Sequence, residues 1–193
     1  MENELAKKFA EYLLHENTIT SDLFEVYVYG TELLLSFIIS TSIILLIGML
    51  IHRMIKTLIF LAAFILLRRY TGGYHAKTYL RCKIVTVATY LSVVLFSELF
   101  HPTLLWLACL GMIGISTILM IGPIESPNKP LTAEERKKHK FTGLGLFVLV
   151  FIFACLPYNP YGNVFYFSLA SVIVLMLVTL IVRKEDKHEK DDC

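Results

Sequence analysis

Apolar residues gather in six blocks separated by short polar stretches, at 31–51, 54–67, 84–100, 103–121, 141–156 and 164–182. Each is close to the roughly 17–25 residues that a bilayer-spanning helix needs. The pattern predicts an all-α fold, a polytopic membrane helix bundle of about six transmembrane helices. The second block is the weakest, because its uninterrupted run Thr57–Leu67 rises only about 16 Å against a hydrocarbon core of about 30 Å. It spans only if Lys56 and Arg68 snorkel to the two interfaces. No Gly or Pro marks a turn at Ile51-His52-Arg53-Met54. One continuous helix over both blocks would nonetheless be nearly twice as long as the bilayer is thick, so a tight hairpin is expected there.

Ahead of the first block, Leu5, Phe9, Tyr12 and Leu13 recur at helical spacing opposite Glu4, Lys7, Lys8 and Glu11. This predicts an amphipathic interfacial helix within an N-terminal segment 1–30, either docked on the membrane or packed over the bundle. Acidic residues in place of a basic n-region argue against a signal peptide. The mixed-charge stretch 184–193 is expected to be a disordered tail, leaving 1–183 as a single integral membrane domain.

With 56% hydrophobic residues in 193 and a positive mean hydropathy, the chain has more apolar side chains than a soluble core of this size uses. A net charge of +2 offers no cationic face for nucleic acid. The cysteines at 82, 109, 155 and 193 form no CxxC, so neither a disulfide framework nor a structural zinc site is indicated, and no metal or cofactor is expected. With the N-terminus inside, 16 of the 18 Lys and Arg residues fall in cytoplasmic segments, and only Arg53 and Lys56 fall outside. The positive-inside rule therefore places both termini and the loops 68–83 and 122–140 on the cytoplasmic side of the cell membrane.

The loop from Arg68 to Lys83 (RRYTGGYHAKTYLRCK) holds several basic residues and no acid. It places a nucleophile, Cys82, seven residues from a base, His75. Positive charge and an adjacent imidazole favour the reactive thiolate; Arg81 and Lys83 flank Cys82 directly, and His75 is suited to take its proton and return it to a leaving amine. Residues seven apart on a straight helix lie about 10.5 Å apart along the axis, too far for a hydrogen bond. Either Gly72-Gly73 lets the backbone fold His75 back against the helix carrying Cys82, or the pair forms between protomers of a homodimer. An inert small cysteine beside a headgroup-anchoring basic cluster accounts for the same residue types. One His and one Cys fall short of a catalytic zinc set.

This loop, with arginine ahead of Gly73-Tyr74-His75-Ala76 and a cysteine seven residues after the histidine, resembles the accessory gene regulator protein B family. These are membrane cysteine endopeptidases of bacterial quorum sensing. The second loop, Gly122-Pro123-Ile124-Glu125-Ser126-Pro127-Asn128-Lys129-Pro130-Leu131, matches the family's Asn-Lys-Pro pattern, and Glu135-Arg136-Lys137-Lys138 follows it. The resemblance implies His75 as general base and Cys82 as nucleophile, with Arg68 and Gly73 at positions used for activity. It implies that Lys129, Lys137 and Lys138 handle the substrate. That substrate would be a short prepeptide with an amphipathic N-terminal part, held on the lipid bilayer, and an acidic C-terminal tail. The tail is cut off, and a thioester on the cysteine closes to a thiolactone or lactone. A basic ring of Arg68, Arg69, Lys77, Arg81, Lys129 and Lys138 suits an acidic tail, although ordinary positive-inside topology produces such a ring without any ligand.

The rival readings are a small transporter or permease component for an anionic solute or peptide, and a non-catalytic scaffold. Glu98 and His101 stand at i, i+3 and could pair, but Glu98 lies about 24 Å along a helix from Cys82, at the opposite membrane face. Cys109 and Cys155 are expected to be packing residues within spans, and Cys193 a thiol in the tail.

Overall fold

The computed structural model describes residues 2–16, 18–72, 79–124 and 131–191, with the backbone alone at 2, 79 and 183–191. Those residues form seven α-helices: α1 (Glu2–His15), α2 (Phe24–Leu50), α3 (Met54–Thr71), α4 (Tyr79–Leu99), α5 (Leu104–Ile121), α6 (Ala133–Cys155) and α7 (Gly162–Asp191). A 3-10 turn at Ser21–Leu23 leads into α2. No strand occurs among the described residues, so the protein is the polytopic helical bundle that its pattern predicts.

Among the described residues, five segments are long and apolar enough to cross a membrane: Ser21–Leu50, Leu80–Leu99, Leu104–Ile121, Ala133–Cys155 and Gly162–Val182. The second expected span, α3, is a helix of 18 residues, about 27 Å long, but Lys56, Arg68 and Arg69 leave it outside that set. Its position in the bundle compensates. Thr57, Phe60, Leu61, Ala63, Phe64, Leu67 and Thr71 are all buried, and α3 packs on α2, α4, α6 and α7. A helix shielded by four neighbours need not be apolar on every side.

The expected hairpin is present and takes only Ile51, His52 and Arg53, with His52 at φ 57°. The Arg53 N–H closes it by donating to Gly48 O at 2.9 Å. Gly48 allows the two helices to meet: a Cβ there would lie 2.2 Å from the Thr57 hydroxyl oxygen. Thr57 in turn shares a 2.7 Å hydrogen bond with the hydroxyl of Tyr90 on α4. Around that polar contact the core is aromatic, with Phe60 stacked on Phe64 and tilted against Tyr90 at centroid separations of 5.0 and 5.4 Å. Buried Ile118, Phe147, Leu169 and Met176 extend the core through α5, α6 and α7.

The N-terminal helix α1 packs over the bundle on one face and leaves its apolar stripe exposed on another. Ala6 and Ala10 are fully buried against Val28 and Phe24 of α2, and the Asn3 side-chain amide donates to buried Glu32. Leu5, Phe9 and Tyr12 remain exposed, as a face that meets a bilayer would be. At the other end of the chain, helical backbone runs past Val182 through Asp191, into the stretch expected to be a disordered tail.

Candidate active site

The C-terminus of α3 and the N-terminus of α4 lie at one end of the bundle. The last turn of α3 carries Arg68, Arg69, Tyr70 and Thr71, and the first turns of α4 carry Arg81, Cys82 and Lys83. The Arg68 guanidinium passes over the Phe64 ring at 5.4 Å, and its charge lies beside the Cys82 side chain. Cys82 itself is half-buried. The guanidinium thus lies between the thiol and an aromatic face, which holds its charge at the sulfur.

The sequence assigned that electrostatic role to Arg81 and Lys83, the immediate neighbours of Cys82. On a helix, adjacent residues point about 100° apart, and Arg81 is exposed while Lys83 is half-buried. A further cation, Arg68, reaches the sulfur from the preceding helix. Its signal in the sequence was available in the family resemblance at Arg68, but spacing of 14 residues across a loop gave no geometric reason to choose it.

The second basic loop is tied to the same place. Thr71 is buried, its hydroxyl donating to Leu67 O at 2.9 Å, and its carbonyl accepts from the Ile124 N–H at 2.9 Å. Gly72 follows at φ 74°, ψ −160°, a region that is essentially restricted to glycine. A Cβ at Gly72 would come within 2.2 Å of Ile124 O. The start of the 68–83 loop and the segment after α5 therefore clasp each other backbone to backbone.

On α6, Thr132 and Glu135 form a capping box, the Glu135 N–H reaching the Thr132 hydroxyl at 3.3 Å and the Thr132 N–H reaching the Glu135 carboxylate at 3.0 Å. Such reciprocal bonding satisfies two of the helix's free amides and fixes where the basic turn begins. Lys137 and Lys138 are exposed on that turn. Farther along, the ammonium of Lys140 donates to Leu119 O at the end of α5, and His139 meets Tyr70 of α3 edge-on at 5.5 Å. These contacts bind α3, α5 and α6 together at the end that bears Cys82.

His75, Gly73, Lys77 and Lys129 lie outside the described residues, as do Asn128 and Cys193. Among the described residues no three His, Cys, Asp or Glu side chains converge to hold a metal ion. Cys109 is half-buried in α5, whereas Cys155 is exposed as the last residue of α6. Glu98 pairs with Arg53 and Lys56, both at 2.7 Å, in place of the His101 partner that the i, i+3 spacing suggested. His101 follows the end of α4 at Leu99, so helical spacing does not extend to it.

Comparison with known proteins gives a family match, accessory gene regulator B, over residues 6–182. A putative AgrB-like protein 2 of Clostridium perfringens (strain 13 / Type A) is 22% identical over 189 residues, covering 92% of this chain and 86% of the relative. The accessory gene regulator protein B of Staphylococcus aureus (strain MW2) is 24% identical over 180 residues, covering 93% and 95%. That of Staphylococcus haemolyticus (strain JCSC1435) is 21% identical over 180 residues, covering 93% and 96%. No solved structure matches the chain.

Proposed function

The chain belongs to the accessory gene regulator B family, which acts in quorum sensing, and on that premise we propose that it is a membrane cysteine endopeptidase that cuts and cyclises a signalling prepeptide. The observation that carries the reading is the Arg68 guanidinium of α3 lying beside the Cys82 side chain of α4.

In this mechanism the Cys82 thiolate attacks the carbonyl carbon of the scissile peptide bond, forming a C–S bond and a tetrahedral oxyanion. Collapse of that intermediate breaks the C–N bond. His75, having taken the thiol proton, gives it to the departing amine of the C-terminal tail. The remaining peptide is held as a thioester, which keeps acyl-transfer potential. A thiol or hydroxyl within the same peptide then attacks the thioester carbonyl, giving its proton to His75, and the C–S bond to Cys82 breaks, closing a thiolactone or lactone and releasing the Cys82 thiolate. Water must be excluded while the thioester waits, and the half-buried setting of Cys82 beside the Phe64 ring and Arg68 guanidinium suits that requirement.

The substrate matches this end of the bundle in charge. Lys137 and Lys138, with Lys129 from the preceding loop, attract an acidic tail, while the exposed Leu5, Phe9 and Tyr12 face of α1 lies in the same bilayer interface as an amphipathic precursor. The Lys and Arg distribution supports a cytoplasmic location for the site and both termini, the compartment in which a ribosomal precursor first appears. Arg68 and Gly73 complete the site residues, the first beside the nucleophile and the second next to the Gly72 clasp. The test is processing of a synthetic prepeptide by purified protein in liposomes, followed by mass spectrometry. Wild-type protein releases the tail and cyclised peptide, and Cys82→Ala and His75→Ala do not. Normal tail release by Cys82→Ala protein would overturn the assignment.

A further inference from the structure

At the end of the bundle opposite Cys82, the α2–α3 hairpin and the end of α4 enclose an open cleft of about 680 Å³. Its volume falls within the range of about 300–1,000 Å³ typical of small-ligand sites. Arg53 and Lys56 line it from the hairpin and Glu98 from α4. Both cations contact the same carboxylate oxygen, Oε1 of Glu98, at 2.7 Å. Two positive charges thus share one negative charge, leaving the group at a net +1.

Arg53 uses its Nε for Glu98, so the terminal nitrogens of its guanidinium remain for a second anion, in the fork geometry that suits phosphate oxygens. The cations are also unevenly exposed: the Arg53 side chain is 48% exposed and that of Lys56 only 17%. Lys56 is therefore the buried floor of the charged group and Arg53 its open arm.

The rim of the cleft is apolar. Met49, Met54 and Ile55 line it and are exposed, at the level where the apolar helices end. A cationic fork beside an exposed apolar lip, at the boundary of a membrane-crossing bundle, matches a molecule that joins a phosphate to hydrocarbon. Among the described residues, Arg53 and Lys56 are the Lys and Arg side chains that line this cleft, and the basic cluster around Arg68 and Arg69 at the far end of α3 does not account for their meeting here.

We propose that this cleft binds the phosphate headgroup of an anionic phospholipid from the leaflet opposite the Cys82 end, with Arg53 and Lys56 on the phosphate and Met49, Met54 and Ile55 along the acyl chains. Glu98 then serves to hold the two cations in place when no lipid is bound, and competes with the phosphate for them.

The experiment is native mass spectrometry of the full-length protein in detergent with added phosphatidylglycerol or phosphatidylcholine. Wild-type protein is expected to retain at least one phosphatidylglycerol in preference to phosphatidylcholine. Arg53→Gln/Lys56→Gln should weaken the tightest site about thirtyfold, the factor that two interfacial cations lend to an anionic headgroup, and Glu98→Gln should strengthen it about fivefold. Equal retention of the two lipids, or unchanged affinity in the double variant, overturns the proposal. Should the double variant not fold, Glu98→Gln decides alone, and unchanged or weaker binding overturns it. Displacement of phosphatidylglycerol from the tightest site by hexaglutamate would also overturn it, assigning the cleft to an acidic peptide.

Discussion

Arg68→Gln takes the positive charge away from Cys82 while leaving a planar polar side chain of similar reach. The size of the effect follows from the contact between the guanidinium and the sulfur. Unit charges about 4 Å apart interact by about 1 kcal/mol in water and about 4 kcal/mol at an effective dielectric near 20. A charged reagent that enters beside the half-buried cysteine meets the guanidinium at about 1 kcal/mol, favourable for an anionic reagent and unfavourable for a cationic one. Loss of the charge should therefore lower the ratio of anionic to cationic reaction rates by about 2 kcal/mol, a factor of about thirty. The assay is stopped-flow reaction of Cys82 with a sulfonate-bearing and a trimethylammonium-bearing methanethiosulfonate reagent, on protein whose other cysteines are serine. Taking the ratio of the two rates cancels any change in the thiol itself. An unchanged ratio refutes the electrostatic role of Arg68.

Cys82→Ala should abolish prepeptide cleavage and His75→Ala should reduce it to background, while Cys109→Ala and Cys155→Ala cleave at the wild-type rate; mass spectrometry of the released tail distinguishes these. Gly72→Ala forces a Cβ into a glycine-only backbone region and against Ile124 O, costing at least about 1–3 kcal/mol. A lower midpoint of thermal unfolding is expected, and an unchanged one contradicts the clasp. Thr132→Ala removes the capping box of α6, and denaturant unfolding should report a loss of about 1 kcal/mol. Lys137→Gln/Lys138→Gln should weaken prepeptide binding more at low salt than at high salt. A salt-independent loss, read by fluorescence anisotropy of a labelled peptide, would indicate a folding role instead.

The helices were legible because each lies in a block of apolar residues bounded by charge or turn residues, and such blocks survive any arrangement of the bundle. The hairpin between α2 and α3 was expected from length alone. Its chemical signal, Gly48, sits three residues before the turn, where it admits the Thr57 side chain rather than shaping the turn's own backbone. The weakness of α3 as a span was visible in the short apolar run Thr57–Leu67 between Lys56 and Arg68, but its central position depends on contacts with four other helices that no local pattern encodes. At the site, Cys82 was found by its chemistry and Arg68 by resemblance. Their contact was not legible, since it joins two helices across a loop. The pairing of Glu98 was misread for the related reason that local spacing favoured His101, whereas the stronger cations Arg53 and Lys56 arrive from 45 and 42 residues away.

The thioester on Cys82 is the step on which the proposed chemistry depends, and intact-mass spectrometry of the protein mixed briefly with prepeptide tests it most directly. The account predicts a protein heavier by the prepeptide minus its tail, with the adduct mapped to Cys82 and removed by neutral hydroxylamine. An adduct on another side chain, or tail release at the wild-type rate from Cys82→Ala protein, would contradict it.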